Sequence, residues 1–243
     1  MANHDKNRIR LVHTSDLHLG HDYSMHTSEL DTHACQVLGT LVDGLIGLKA
    51  DLLIIAGDLF DNNRLHSSVV ELTVKELAKV SIPIIILPGN HDSLLPDSVY
   101  HRVDLSRLAP NIQLFTNPDG ERFSFPELNL SIWGRAIDSY DGHFRPMAGI
   151  PPRSSERWQI AVAHGHYVGD AVGQIYGLQI SREEIVRSCC DYVALGHWGL
   201  YNCICDDPVK AYYSGSAHIN SNVAIIDLFN DGSIQVKSQP LPL

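Results

Sequence analysis

The chain has 243 residues, 14 of them histidine, and a formal net charge of −10 from 18 Lys+Arg against 28 Asp+Glu. Hydrophobic residues at 44% and charged residues at 19% exclude intrinsic disorder and supply apolar material for one full α/β domain. The acid excess argues against a broad surface tracking the phosphates of long nucleic acid, and five cysteines at low density exclude a disulfide scaffold.

The first residues, Met1 to Arg8, lack the basic start and apolar stretch of a signal peptide, and the longest apolar run, Leu52 to Ala56, is too short to span a bilayer. A cytoplasmic location without a membrane partner is the expectation. Ile9–Thr14 reads as a strand that runs into Ser15-Asp16-Leu17-His18-Leu19-Gly20. Ser28–Leu48 carries apolar residues at helical spacing, among them Val37, Leu38, Leu41, Val42 and Leu45. Asp51–Ala56 is a buried strand leading to Gly57-Asp58-Leu59-Phe60-Asp61. Ser67–Val80 reads as a second helix, and Ile82–Pro88 as a third strand leading to Gly89-Asn90-His91-Asp92. This alternation predicts parallel strands joined by right-handed crossovers.

The second half predicts short strands at 112–115, 122–125, 128–133, 159–163, 192–195, 201–205, 211–214, 224–228 and 234–239, with one helix over Arg182–Cys189. Asn117–Gly120 and Asn230–Ser233 are hairpin-type turns. Asp141–Ser155, rich in Gly, Pro and Arg, reads as a mobile surface loop. Two face-packed sheets with outer helices follow, and residues 1–243 read as a single domain. Cys189, Cys190, Cys203 and Cys205 read as buried inert thiols, with Cys203 and Cys205 on one strand face.

Polar clusters follow each of the three parallel strands, at the strand ends where open α/β sheets bind ligands. Asp16 and His18 are two apart, which on an extended backbone places both side chains on one face. Gly57 allows close backbone approach beside Asp58, Asn90 offers a carbonyl oxygen, and Asp92 is adjacent to His91 and could hold its ring. His164 and His197 also follow strands. Carboxylate, carbonyl and imidazole donors without thiolates favour Mn, Fe, Zn or Co.

These motifs resemble the calcineurin-type metallophosphoesterases, and among them the SbcD-type exonuclease branch. The marks are Asp-Leu-His-Leu-Gly, Ala-Gly-Asp-Leu-Phe-Asp, Pro-Gly-Asn-His-Asp, Ala-Leu-Gly-His and Tyr213-Ser-Gly-Ser216, spread over roughly residues 9 to 220. The resemblance implies a four-layer αββα sandwich of two mixed sheets and a pair of metal ions. By it Asp16 and His18 bind the first ion, Asp58 bridges both, and Asn90, His164 and His197 bind the second. It makes His91 the catalytic histidine, oriented by Asp92, beside a metal-bridging hydroxide that attacks phosphorus.

The pattern breaks at Gly199. The family has Gly-His-x-His where this chain has Gly196-His197-Trp198-Gly199, so the first ion lacks a ligand for which His166 is the stand-in. SbcD-type nucleases also continue into a DNA-gripping domain beyond the length of this chain. A small phosphodiester or phosphomonoester is therefore the expected substrate, with His21, Arg64 and Trp198 as substrate-binding residues; Arg135 and the Asp141–Ser155 loop could also shape the pocket. A nuclease acting on DNA or RNA ends and a catalytically impaired scaffold are the alternatives.

Overall fold

The computed structural model describes residues 7–20, 32–102, 105, 109–170 and 177–241. The first sheet is built around β1 (Arg8–Thr14), β2 (Leu52–Ala56), β3 (Ile84–Leu87) and β4 (Ile112–Leu114), all parallel to their neighbours. Every residue of β2 and β3 is buried, as expected of parallel strands covered on both faces. The helices α1 (Thr32–Leu48) and α2 (Ser67–Leu77) supply one cover, through Leu38, Leu41 and Leu45 and through Val70, Val74 and Leu77. α1 ends at Lys49, which takes a left-handed φ of 53° while Ala50 N–H closes onto Leu45 C=O.

The second sheet contains β5 (Glu121–Phe125), β6 (Leu130–Gly134), β7 (Trp158–His164), β10 (Tyr192–Gly196), β11 (Tyr201–Cys205) and β12 (Lys210–Ser214), in the order β11-β12-β10-β7-β6-β5. The chain then returns to the first sheet, adding β13 (Asn222–Phe229) and β14 (Ile234–Pro240) antiparallel beside β1, in the order β14-β13-β1-β2-β3-β4. Both sheets are mixed.

The period-2 alternation of β7 and β10 sorts their side chains into two cores. Ile160, Val162, Tyr192 and Ala194 join the core between the sheets, whereas Ala161, Ala163, Val193 and Leu195 face a smaller outer core. Helix Arg182–Arg187 covers that outer core through Ile185, together with Ile180 and Met147. The layers are therefore helix, sheet, sheet, helix, the last one thin. His164 is in phase with Ile160 and Val162, so the alternation also aims it between the sheets.

Several expectations need correction. A small sheet of β8 (His166–Gly169) and β9 (Gln179–Ser181) occurs where no strand was expected, and short helices stand at Val99–Arg102 and Ala217–Asn220. Predicted helix residues 28–31 lie outside the described set, and α2 stops three residues before Val80. Asp141–Ser155 has no strand or helix, but it is pinned by buried Phe144 and Met147. Arg135 holds this loop, donating to Arg145 C=O at 2.9 Å with its guanidinium 4.5 Å from the Phe144 ring centre, which commits it away from any substrate. Cys189 and Cys203 are exposed, and a register shift between Cys203 and Cys205 puts those two on different faces. No helix among the described residues is long and apolar enough to cross a membrane.

Candidate metal centre

The carboxyl ends of β1, β2, β3, β7 and β10 meet at one edge of the sandwich. The loop after β1 is laced to the loop after β2: Asp16, His18 and Leu19 donate their N–H groups to the carbonyls of Gly57, Asp58 and Leu59, each at 3.0 Å. The lacing puts Asp16 at φ 54°, His18 at φ 46° and Asp58 at φ 53°. The expected extended backbone at Asp16 and His18 is thus wrong; both residues are left-handed because their amides follow the neighbouring loop rather than a strand partner. Gly57, at φ 94°, lies against the His164 imidazole, and a Cβ there would strike the ring. Gly89 leaves similar space for the Asp58 carboxylate.

One cluster is tight. His164 is fully buried, and its Nδ1–H donates to Ala56 C=O at 2.9 Å. That bond leaves the Nε2 lone pair of the neutral ring facing Asn90 Oδ1 at 2.9 Å and Asp58 Oδ2 at 3.3 Å. His197 Nδ1 lies 2.9 Å from the same Asn90 oxygen and 3.2 Å from His164 Nε2. Donors sharing one ion at roughly 2.1 Å lie about 3.0–3.4 Å apart in octahedral or tetrahedral arrangements. The four atoms have that spacing, and their lone pairs repel unless a cation or a proton stands between them. In the metal-free protein a proton takes that place. Burial lowers the pKa of His164, but Asp58 outweighs it and holds the ring up at about 9. Burial would raise Asp58, and the charge on His164 instead keeps it well below the usual carboxylate range. His197 is pushed down to about 3 by burial and by its histidine neighbours.

The second cluster is looser. His18 Nε2 stands 3.9 Å from Asp58 Oδ2 and 4.0 Å from Asp16 Oδ1, and His18 Nδ1 is 3.4 Å from Asp61 Oδ1. His18, Asp58 and His91 form a group whose ligand atoms all lie within 4.8 Å, as do Asp58, His164 and His197. Asp16 is held by the hydroxyl of Ser15 and by the N–H of His197 at 3.0 Å. Burial lowers the pKa of His18, against the pull of Asp58. The donor set of nitrogen and oxygen atoms fits divalent cations of borderline hardness.

Asp92 does not orient His91. Its carboxylate accepts from Gly89 N–H at 2.7 Å, Phe60 N–H at 3.1 Å and the Tyr100 hydroxyl at 2.6 Å, tying the second and third loops together from beneath. The ring of His91 is held instead by Asp61 C=O, 2.8 Å from Nδ1, while the His91 N–H donates to Asp58 at 2.9 Å. Burial and the nearby charge of Asp58 push Asp92 up to about 6.

His166 joins neither ligand group; its Nε2 lies 2.9 Å from His197 Nε2, on the far side of that ring from Asn90. Gly199 brings no donor, and a Cβ there would meet only Ile219 at 3.3 Å and Asn220. Trp198 is exposed beside His197, and Arg64 is exposed in a cavity of about 710 Å³ that Asn62, His66, Ser67 and Arg102 also line. His21 lies outside the described residues. Sequence reasoning missed three residues here. Asp61 stood in a quoted motif with no role given to it. Tyr100 and Tyr140, whose hydroxyl donates to Asn90 C=O at 3.3 Å, carry no local signal.

Comparison with known proteins gives a family and relatives. The family described as calcineurin-like phosphoesterase matches residues 9–201. The DNA double-strand break repair protein Mre11 of Nanoarchaeum equitans is 26% identical over 203 residues, 80% of this chain and 50% of that protein. The protein of the same name from Saccharolobus solfataricus is 31% identical over 110 residues, 41% of this chain and 28% of its own length. The chain thus spans half or less of these curated relatives. Among solved structures, a dimetal phosphatase from Danio rerio superposes with a TM-score of 0.64 at 11% identity, over 97% of both chains. A protein of Thermus thermophilus does so with a TM-score of 0.61 at 9% identity, over 95% of this chain and 98% of its own. Both are likenesses of fold.

Proposed function

The chain belongs to the calcineurin-like phosphoesterase family of metal-dependent hydrolases, and from that premise we propose that it hydrolyses a small phosphodiester or phosphomonoester with two divalent ions drawn from Mn, Fe, Zn or Co. Asp58, Asn90, His164 and His197 would hold one ion, and Asp16 and His18 the other, with Asp58 shared. One observation carries the reading: four lone-pair atoms from three separate loops and a strand converge at 2.9–3.3 Å. When bound, such ions polarise a phosphoryl oxygen and activate water.

The chain's own groups do the rest. The Nδ1–H of His91 is fixed on Asp61 C=O, so its Nε2 is the nitrogen free to carry a second proton. That proton stabilises negative charge on the phosphoryl group or passes to the leaving oxygen. Asp92 keeps the Asp58 and His91 loops in register. Arg64 supplies a cation beside the scissile group, in a cavity of a size that suits a small ligand, and Trp198 covers its other side. We treat residues 1–243 as one domain carrying this site.

Cleavage of DNA or RNA ends is the second reading, favoured by the match to Mre11 proteins over most of this chain. Metal content after purification without chelator, and hydrolysis of bis-p-nitrophenyl phosphate, p-nitrophenyl phosphate and a short single-stranded oligonucleotide with Mn²⁺, test both. Turnover of the nitrophenyl esters that is lost in His91→Ala supports the first reading. Turnover of the oligonucleotide alone supports the second. Trace metal and equal background rates in both proteins overturn the two together.

A further inference from the structure

His197 has two ring nitrogens and two sets of neighbours. Its Nδ1 faces Asn90 Oδ1 and His164 Nε2, and its Nε2 faces His166 Nε2 at 2.9 Å. A neutral imidazole has one N–H and one lone pair. If Nδ1 gives its lone pair to an ion, the proton must sit on Nε2, where the one atom in hydrogen-bond range is the nitrogen of His166. From this geometry we infer that His166 is a positioning residue: it accepts the Nε2–H of His197, fixes that tautomer, and so aims the Nδ1 lone pair into the cluster. This rests on the metal-binding reading above and changes the part of His166 from ligand to acceptor.

The backbone around His166 is built to present its ring. β7 does not persist past His164; Gly165 N–H donates to Gly196 C=O at 3.2 Å, and His166 N–H to Leu178 C=O at 2.8 Å. The buried Tyr213 hydroxyl donates to Gly165 C=O at 2.7 Å and accepts from Tyr167 N–H at 2.9 Å, clamping both neighbours of His166. A Cβ at Gly165 would strike Leu178 C=O, so glycine is required for this close turn. The anchors hold an exposed imidazole at one end of a chain that runs His166, His197, Asn90 and His164. Partners that orient a ligand histidine in this way typically affect metal affinity by about 10–100-fold.

The test compares Zn²⁺ and Mn²⁺ binding to wild type, His166→Ala and His166→Gln by titration calorimetry, with ¹⁵N spectra of the histidine rings in the Zn²⁺-loaded proteins. The expected result is about tenfold weaker binding in His166→Ala at unchanged stoichiometry. His166→Gln, which retains an acceptor, should bind within about threefold of wild type. The spectra should show His197 protonated at Nε2 in wild type. Loss of a whole equivalent of ion in His166→Ala, or protonation of His197 at Nδ1, overturns the inference and leaves the functional reading standing. Unchanged affinity in His166→Ala beside a wild type that binds metal does the same. A wild type that binds no ion overturns both. Equal melting temperatures of the metal-free proteins separate these outcomes from a folding defect.

Discussion

The two halves of the centre are unequal. Around His164, four donors crowd to 2.9–3.3 Å, the histidine is fully buried, and a carbonyl sets its tautomer. Around His18 the distances to carboxylates run from 3.4 to 4.0 Å, and Gly199 adds no donor. The contrast shows what burial between two sheets does. β7 and β10 deliver their histidines from rigid central strands, whereas Asp16 and His18 depend on one loop being laced to another. A tight ion and a labile ion are the expected outcome.

The strongest break in this contrast is Asp58, which both halves share. Asp58→Asn should lower kcat by about 10³-fold or more and reduce metal content at both positions; loss at one position only would mean that the halves are independent. His91→Ala comes next, with an expected fall in kcat of about 10²–10³-fold while both ions stay bound. A loss of metal in that variant would move His91 among the ligands, where its place beside His18 and Asp58 also allows it to stand.

The pH dependence of binding sharpens the comparison. In the metal-free protein His164 holds a proton up to about pH 9, and the tight ion must displace it. Affinity at that position should therefore rise by about tenfold per pH unit below 9 and level off above it. The looser position should respond less, because burial lowers the pKa of His18 and frees its lone pair at neutral pH. Calorimetry at several pH values checks this through the number of protons released. The smallest expected effect is a gain. Gly199→His should tighten the labile ion by about threefold to tenfold, since it restores a fourth donor where Ile219 and Asn220 leave room. An unchanged labile-ion affinity there would mean that position 199 does not face the looser half.

Much of this was legible in the residues. The apolar runs at Leu52–Ala56 and Ile84–Leu87 announce buried parallel strands, and the polar motifs behind them converge because the topology brings strand ends together. The choice of partner within the site was not legible. Asp92 stands next to His91 in the chain, yet its side chain turns away to the N–H groups of Phe60 and Gly89. Adjacent residues on a turn diverge, so proximity in sequence misleads there. The register shift that separates Cys203 from Cys205 and the break in β7 at Gly165 are likewise set by packing against other strands. Tyr213, which shapes the turn before His166, acts across 48 residues of sequence.

The left-handed backbone at Asp16, His18, Asp58 and His197 has a consequence for descent. Glycine would occupy these positions at lower conformational cost, and most neutral drift runs toward such relief. A lineage that no longer needed the side chains would gain stability by letting them go. This one has kept two aspartates and two histidines against that gradient. The backbone thereby acts as a record of selection, and it speaks for a working centre rather than an inherited scaffold.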